Sequence, residues 1–404
     1  MKILYHHRIA SKDGQYVHIE EIVNALRNLG HEVILVGPDV AENTDFGSDG
    51  GWVTVLRQKF PKALTELLEF GYSAVGFMRL LKAVWKHKPD VIYERYNLYY
   101  PAGIWVKALT RLPLVLEVNS PLYDERLAFG GLALPKLARW SEHYVWKRAD
   151  HVLPVSHVLA GFIQRAGVDE AKISVVPNGI DPDKFLNGRV EAEDEPEADP
   201  VPGDLRTHMA GKLVVGFVGF CREWHRLDKV LERLAEHPRK DLYLLVVGDG
   251  PVSEMLQKKA RDLSMEDRFC LTGLVTREAM PGWLDCIDIA IQPSVTPWAS
   301  PLKLIEYLAK GTAIVAADTP NLRELLEDGR NALLFPPDDL EQMLLAIDRI
   351  IEDEALCHSL KVNAVETIRA RNLTWQGNAE KIIAVFDSLI GAEGKEARVQ
   401  KNSS

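Results

Sequence analysis

Short β-rich apolar runs recur along this chain with helical segments between them, and that alternation restricts the fold more than any other feature. A first series occupies residues 2–7, 31–38, 91–96, 114–119, 151–156 and 173–178. A second occupies 213–220, 242–248, 269–275, 288–294, 313–317 and 332–336. Runs this short and this apolar are buried on both faces, as happens in parallel sheets whose crossovers are helices. Between the series lies EAEDEPEADPVPGD, residues 191–204, too acidic and too poor in apolar groups to join a core. The fold class is therefore α/β, with two doubly wound parallel-sheet domains. Residues 1–185 form the first, 186–204 a linker, and 205–372 the second. The 404 residues suffice for two full cores. Residues 373–392 read as an amphipathic helix, and the polar stretch 393–404 is expected to be disordered.

Bulk properties narrow the class. No apolar run reaches the roughly 18 residues of a membrane-spanning helix, and MKILYHHRIASKD lacks the features of a signal peptide. A cytoplasmic protein is expected. Cys221, Cys270, Cys286 and Cys357 are widely spaced, which suits reduced thiols and neither a disulfide frame nor a zinc site. The pair His6-His7 has no third ligand close in sequence, so no metal is expected there. Net charge is −10. The acid lies in the second half, whereas residues 55–148 hold fifteen basic against eight acidic side chains. Arg79, Lys82 and Lys86 share one edge of a helix at their three- and four-residue spacing. Such a segment, residues 57–88, suits peripheral contact with an anionic membrane; it equally suits an ordinary amphipathic helix with a solvated charged side. Nucleic-acid binding requires a more continuous positive surface, so it is set aside.

Residues 300–318, SPLKLIEYLAKGTAIVAAD, carry the clearest chemistry. Ser300 suits a helix cap, Pro301 the first helical position, and Gly311 the far end before the next strand. The strand-like DIAIQPS precedes it, so the free amides at Leu302 and Lys303 should open at the carboxyl edge of a parallel sheet. Phosphates bind at such an edge. Glu306 follows Lys303 by one turn, where a ribose diol would suit it. A capped surface helix with a Lys–Glu pair is the plainer account of the same residues.

With its flanking strands, SPLKLIEYLAKG is similar to the C-terminal signature of the retaining glycosyltransferases of family four, which have the GT-B fold of two Rossmann-like domains. VVPNGIDPDKF, GFVGFCREWHRLDKVL, LYLLVVGDGP, LTGLVTREAMPGWL and LTWQGNAEKI extend the resemblance in order over about three quarters of the chain. It implies a first domain for the acceptor, a second for a nucleotide-sugar donor, and a C-terminal helix that crosses back to the first. The loop before Gly14 is glycine-rich in that family and lies against the donor diphosphate; here Gly14 stands alone, and a plain strand-to-helix turn also accounts for it. His18 and Arg95, near strand ends, are candidate acceptor contacts. Asn119 stands where many relatives carry a histidine that touches the donor sugar. Each of the three also suits loop backbone groups.

In the second domain the resemblance implies an arginine and a lysine against the diphosphate. Phe220 and His225 occupy those places, while Arg222 and Arg226 lie beside them, so Arg222 is the preferred diphosphate ligand. His225 contributes if protonated. Gly219, Gly248–Gly250 and Gly273 permit tight turns around the nucleotide, with Thr272–Val275 beside the base. Family members commonly place a glutamate eight residues before the ribose-binding one; Trp298 stands there, and residues 289–305 contain no acid. Ser300 or backbone amides are then expected at the donor sugar. Asp181 and Asp183 shape a loop more readily than a metal site.

The resemblance implies a retaining hexosyltransferase that needs no metal or other cofactor and moves a sugar from a nucleotide diphosphate to a glycan or lipid-linked acceptor in polysaccharide assembly, cytoplasmic or on the inner face of the membrane. Arg222, His225 and Glu306 are its expected catalytic groups. Domain closure is expected to bring Gly14 and Arg95 toward Arg222 and Glu306. A nucleotide-sugar 2-epimerase and a non-catalytic sugar-nucleotide-binding protein are the alternatives.

Overall fold

The computed structural model describes residues 1–9, 14–38, 60–186 and 201–402, with 14–15 and 392–402 by backbone alone. The chain divides into two compact units, Met1–Asn178 with Trp298–Ser300 and Trp375–Ser404, and Gly179–Pro297 with Pro301–Thr374.

The first unit is built on a parallel sheet of β1 (Lys2–His6), β2 (Glu32–Val36), β3 (Val91–Arg95), β4 (Leu114–Val118) and β5 (His151–Pro154), in the order β2-β1-β3-β4-β5. Ile3 registers with Val33 on one side and Val91 on the other, and Leu116 with Val152. Every residue of β3 and β4 is buried. Helices α1 (Gly14–Asn28), α2 (Lys62–His87), α3 (Ala102–Thr110) and α4 (Pro135–Arg148) connect these strands, α5 (His157–Arg165) follows β5, and the C-terminal helix Trp375–Asn402 packs on α1. Ser156 caps α5 by accepting from Leu159 N (3.1 Å) and donates to Trp298 O (2.7 Å).

Residues 173–178 do not form the expected sixth strand. Ser174 N and Val176 N bond to Val152 O and Pro154 O, but Pro154 and Pro177 lack the N–H a continuous ladder needs. Trp298, at the position of the missing acid, is buried in the first unit's core with its ring edge-on to Phe162 (6.2 Å). The aromatic residue is thus a packing anchor.

In the second unit the sheet runs β11-β10-β9-β6-β7-β8, all parallel: β6 (Leu213–Val218), β7 (Leu242–Val247), β8 (Phe269–Leu271), β9 (Ile289–Gln292), β10 (Ala313–Ala317) and β11 (Leu333–Phe335). Helices α6 (Leu227–Glu236), α7 (Leu302–Ala309), α8 (Leu340–Glu352) and α9 (Glu354–Arg371) cover it. Asp339 and Asp353 cap α8 and α9. All six residues of β7 are buried, each large one stabilising the unit by roughly 1.5–3 kcal/mol relative to exposure.

Three expected boundaries move. The first unit ends at Asn178 instead of 185, because Ile180 and Phe185 bury themselves in the second core. Residues 187–200 of the expected linker lie outside the described residues; its end at 204 is corrected, since Val201 is fully buried and a helix runs over Gly203–Met209. The expected disordered stretch 393–402 continues the C-terminal helix to Asn402, because AEGKEARVQKN is rich in strong helix formers. Residues 403–404 lie outside the described residues.

The outward face of α2 carries exposed apolar side chains as well as exposed charges. Leu64, Leu67, Leu68, Val75, Met78 and Trp85 are exposed on it, Met78 by 61% and Trp85 by 66%, with Arg79, Lys82 and Lys86 interspersed. Residues 57–59 of the expected contact segment lie outside the described residues. Helix Pro182–Phe185 begins at Asp181, which accepts from Asp183 N (3.0 Å), so the DPD sequence closes a turn.

Candidate functional sites

In the second unit, α7 begins where β9 and its following loop end. Pro301 occupies the N-cap position, not the first helical one, and no side chain caps the helix. Ser300 is displaced from that role: its Oγ accepts from Asn178 N (3.1 Å) and its carbonyl from Asn178 Nδ2 (2.6 Å). The amides of Leu302 and Lys303 thus meet no capping side chain, a geometry suited to an anion. Gly311, with φ +64°, closes the far end as expected.

Beside this helix start lies a tight glycine corner. Gly219 (φ +124°) donates its N–H to Val247 O, and Cys221 N donates to Asp249 O (2.8 Å). A Cβ on Gly248 (φ +138°) would lie 2.2 Å from Gly219 O, so only glycine allows the two loops to approach. Thr272 Oγ1 accepts from Gly248 N (3.2 Å) and donates to Gly273 O (2.8 Å), while Val275 packs against the core. The Lys303 ammonium lies 4.3 Å from the Phe217 ring centre, and a Cβ on Gly219 would be 3.5 Å from it. Burial pushes this ammonium down to about 8, although Glu306 pulls it upward. Lys303 therefore faces the corner and is half-buried there. Tyr307 fixes the helix against the sheet by accepting from Val218 N (2.8 Å).

Arg222 is exposed and held between two aromatic faces, Phe220 at 4.8 Å and Trp224 at 4.9 Å, which orient its guanidinium. His225 is a correction. Burial, together with Lys303 and Arg222, pushes its imidazole down to about 3, and Nδ1 accepts from Arg222 N (3.1 Å). It is neutral at ordinary pH, so it shapes the Arg222 turn and supplies no positive charge. Glu306 is buried one turn beyond Lys303 and forms an ion pair with Arg277, whose guanidinium also stacks on Phe185 (5.3 Å). Arg277 escaped the sequence reading. Its signal was the lone cation of LTGLVTREAMPGWL.

In the first unit, His18, Arg95 and Asn119 do come together, but on a residue not foreseen. Glu117, buried next to the carboxyl end of β4, takes Tyr5 OH (3.1 Å) and Tyr93 OH (3.0 Å) on Oε2. Its Oε1 takes Arg95, Asn119 Nδ2 (2.6 Å) and His18 Nε2 (3.2 Å). Burial alone would raise the Glu117 carboxyl; the nearby His18 imidazole and Arg95 guanidinium outweigh it and hold the group well below the usual carboxylate range. His18 Nδ1 also contacts Asn178 Oδ1 (2.7 Å). His18 and Arg95, the candidate acceptor contacts, are buried and hold the Glu117 carboxylate. The visible signal was an acid inside the apolar run LVLEV. Gly14 opens α1; residues 10–13 of its loop lie outside the described residues.

His6 bonds to Glu94 (2.9 Å) and stacks on Tyr100. Among the described residues no cluster of three or more His, Cys, Asp or Glu side chains is placed to hold a metal ion.

A second buried acid behaves oppositely to Glu117. Glu142 accepts from Tyr96 OH (3.0 Å) and Tyr123 N (3.1 Å), and burial pushes its carboxyl up to about 8. A carboxyl raised on folding stabilises the protein most below its unfolded value near 4.5, and that contribution is lost as pH rises through 8. Urea unfolding of Glu142→Gln against the parent is expected to show a stability difference in favour of the variant that grows from pH 4.5 to 8 and then levels. A pH-independent difference would contradict a protonated Glu142.

The sequence matches Glycosyltransferase Family 4 over residues 12–184 and Glycosyl transferases group 1 over 212–353. It is 30% identical to a phosphatidyl-myo-inositol mannosyltransferase of Mycolicibacterium smegmatis, covering 94% of this chain and 91% of that one. An uncharacterized glycosyltransferase of Methanocaldococcus jannaschii is 24% identical over 61% of this chain and 60% of its own length; other relatives, from Streptomyces kanamyceticus, are likewise matched over less than two thirds of their length. In fold the chain is similar to Anabaena HepE solved in complex with UDP, with a TM-score of 0.72 at 20% identity over 96% of this chain and 100% of that one. It is similar to a Thermosynechococcus elongatus sucrose-phosphate synthase at the same TM-score and 18% identity, covering 97% and 100%. The fold class expected from the alternating runs is therefore that of GT-B proteins, and the chain belongs to the family 4 glycosyltransferases.

Proposed function

We propose that the protein is a retaining hexosyltransferase that moves a sugar from a nucleoside diphosphate to a lipid-linked or glycan acceptor in polysaccharide or glycolipid assembly, without a metal. The observation that carries this reading is the anion cup of the second unit: the first-turn amides of α7, the Lys303 ammonium against Gly219, and Glu306 one turn further in. Cleavage of the donor's C1–oxygen bond builds negative charge on the departing diphosphate, and oriented amides with a half-buried cation stabilise it. Arg222, held between two rings, adds a planar fork for phosphate oxygens. Glu306 accepts from the ribose hydroxyls, and Arg277 holds its carboxylate in position. Thr272 and Val275 lie beside the base.

Retention by double displacement would require two carboxylates about 5 Å apart. Residues 289–305 provide none, and the resemblance to the retaining family-four glycosyltransferases implies same-face attack, with the leaving phosphate taking the acceptor's proton. The acceptor belongs to the first unit, and the apolar, cation-flanked outer face of α2 rests on an anionic membrane surface. No helix among the described residues is long and apolar enough to cross a membrane.

HepE has been solved with UDP and with UDP-glucose, which makes UDP the first probe. Calorimetric titration of UDP, GDP and ADP in the presence of a chelator is expected to show one strong binder, weakened about tenfold or more in Glu306→Gln. Equal binding by the variant, or no binding by any diphosphate, would contradict the donor site. Donor incubated without acceptor should keep its stereochemistry; its conversion to an epimer would favour a different enzyme.

A further inference from the structure

We propose that the cavity beside the N-terminal end of α2 holds the phosphate-bearing head of an amphiphilic acceptor. This rests on the transferase reading and names the class of its second substrate. The cavity measures about 380 Å³, and its walls include Lys62, Glu66, Glu69, Arg126, Gly130 and Gly131.

Its charges are not equivalent. Glu66 is buried and committed to three donors, Tyr99 OH (2.9 Å), Ala133 N (2.8 Å) and Leu134 N (2.7 Å), which fasten the start of α4. Glu69 pairs with Arg126 (2.8 Å), and Arg126 also lies over the Tyr99 ring. Lys62 donates to the Gly130 carbonyl, and no carboxylate pairs with it among the described residues. Arg8, over the Tyr72 and Tyr100 rings at 5.1 and 4.6 Å, lies in the field of both Glu69 and Arg126. Among the described residues, three cations therefore share this region with two acids, one of them already satisfied. A lysine resting on a carbonyl can turn to a phosphate oxygen while retaining its charge-assisted bond, and Arg126 can present a fork to two more. A Cβ on Gly131 (φ +66°) would lie 3.2 Å from Lys62 Nζ, so glycine at this position leaves the ammonium its room.

The surroundings select an amphiphile over a soluble phosphate. Phe129 is 75% exposed and Leu127 52%, on the segment that carries Arg126 and Gly130. Leu64 and Leu68 begin the apolar outer stripe of α2 directly after Lys62. A polar, cation-rich hollow at the end of such a stripe matches a phosphate head followed by an apolar chain.

Monomeric dihexanoyl phosphatidylglycerol, dihexanoyl phosphatidylcholine and glycerol 3-phosphate would be titrated calorimetrically into the full chain, Lys62→Gln, and the Lys62→Gln/Arg126→Gln double variant, with UDP titrated into each. The expected result is binding of the anionic lipid at least about tenfold tighter than either other probe, weakened about tenfold or more in the double variant and less in Lys62→Gln, with UDP affinity unchanged. Equal lipid binding by parent and variants, or binding of phosphatidylcholine or glycerol 3-phosphate equal to that of the anionic lipid, would overturn the proposal. If the double variant also loses UDP through misfolding, Lys62→Gln, which changes an exposed side chain, decides alone. A parent that shows the lipid pattern but binds no nucleotide would sink the transferase reading and leave this site standing.

Discussion

Lys303→Met is expected to lower UDP affinity by about ten- to a hundredfold and turnover by about a hundred- to a thousandfold, while leaving the protein folded. The substitution keeps most of the side chain's apolar packing over Phe217 and removes only the charge beside Gly219. Turnover should suffer more than binding because charge on the leaving diphosphate is greatest in the transition state. The pH dependence gives an independent check. The ammonium, lowered to about 8 by burial, is protonated below that value and best able to hold an anion there. As pH rises above 8 an increasing share is neutral, so affinity should fall by up to about tenfold per pH unit, and Lys303→Arg should flatten that fall. Calorimetry between pH 6.5 and 9.5 would measure it. Parallel profiles for the parent and Lys303→Met would exclude Lys303 as the phosphate cation.

Glu117→Ala is expected to destabilise the first unit by about 3–5 kcal/mol, the largest stability effect in the chain. The deletion strands the buried Arg95 guanidinium and removes the acceptor of two tyrosine hydroxyls, Asn119 and His18 together. Glu117→Gln keeps an acceptor oxygen and should cost less. The sign with pH follows from a carboxyl held below its ordinary range: its contribution is present above the unfolded value near 4.5 and is lost as pH falls below it. Urea unfolding from pH 3 to 7 should therefore show a shallower acid slope for Glu117→Gln than for the parent. An unchanged slope, or a cost for Glu117→Ala below about 1 kcal/mol, would show that the five donors find other partners.

Fold class was legible because apolar runs between helical segments have one economical solution, burial on both faces of a parallel sheet. Such patterns are local, and eleven of the twelve expected strands were recovered from them. The exception, residues 173–178, is apolar enough for a strand, but Pro154 and Pro177 interrupt its ladder with β5. The phosphate-facing helix was equally legible, since Lys303, Glu306 and Gly311 lie on one short segment whose spacing sets their geometry.

Partnership between distant segments was not legible. Glu117 appeared as a stray acid in an apolar strand until Tyr5, His18, Tyr93 and Arg95 were folded around it. His225 looked like a spare cation, yet its depth beside Phe217, Lys303 and Arg222 makes it neutral. Ser300 looked like a cap, and Asn178 claimed its oxygens from 122 residues away. Trp298 looked like a lost acid and proved to be an anchor in the first core. Local periodicity dictates which segments become strands and helices, because backbone hydrogen bonding and side-chain alternation act over a few residues. Protonation, ion pairing and the outward turn of an apolar face depend on what the rest of the chain brings into contact, and only the folded molecule decides them.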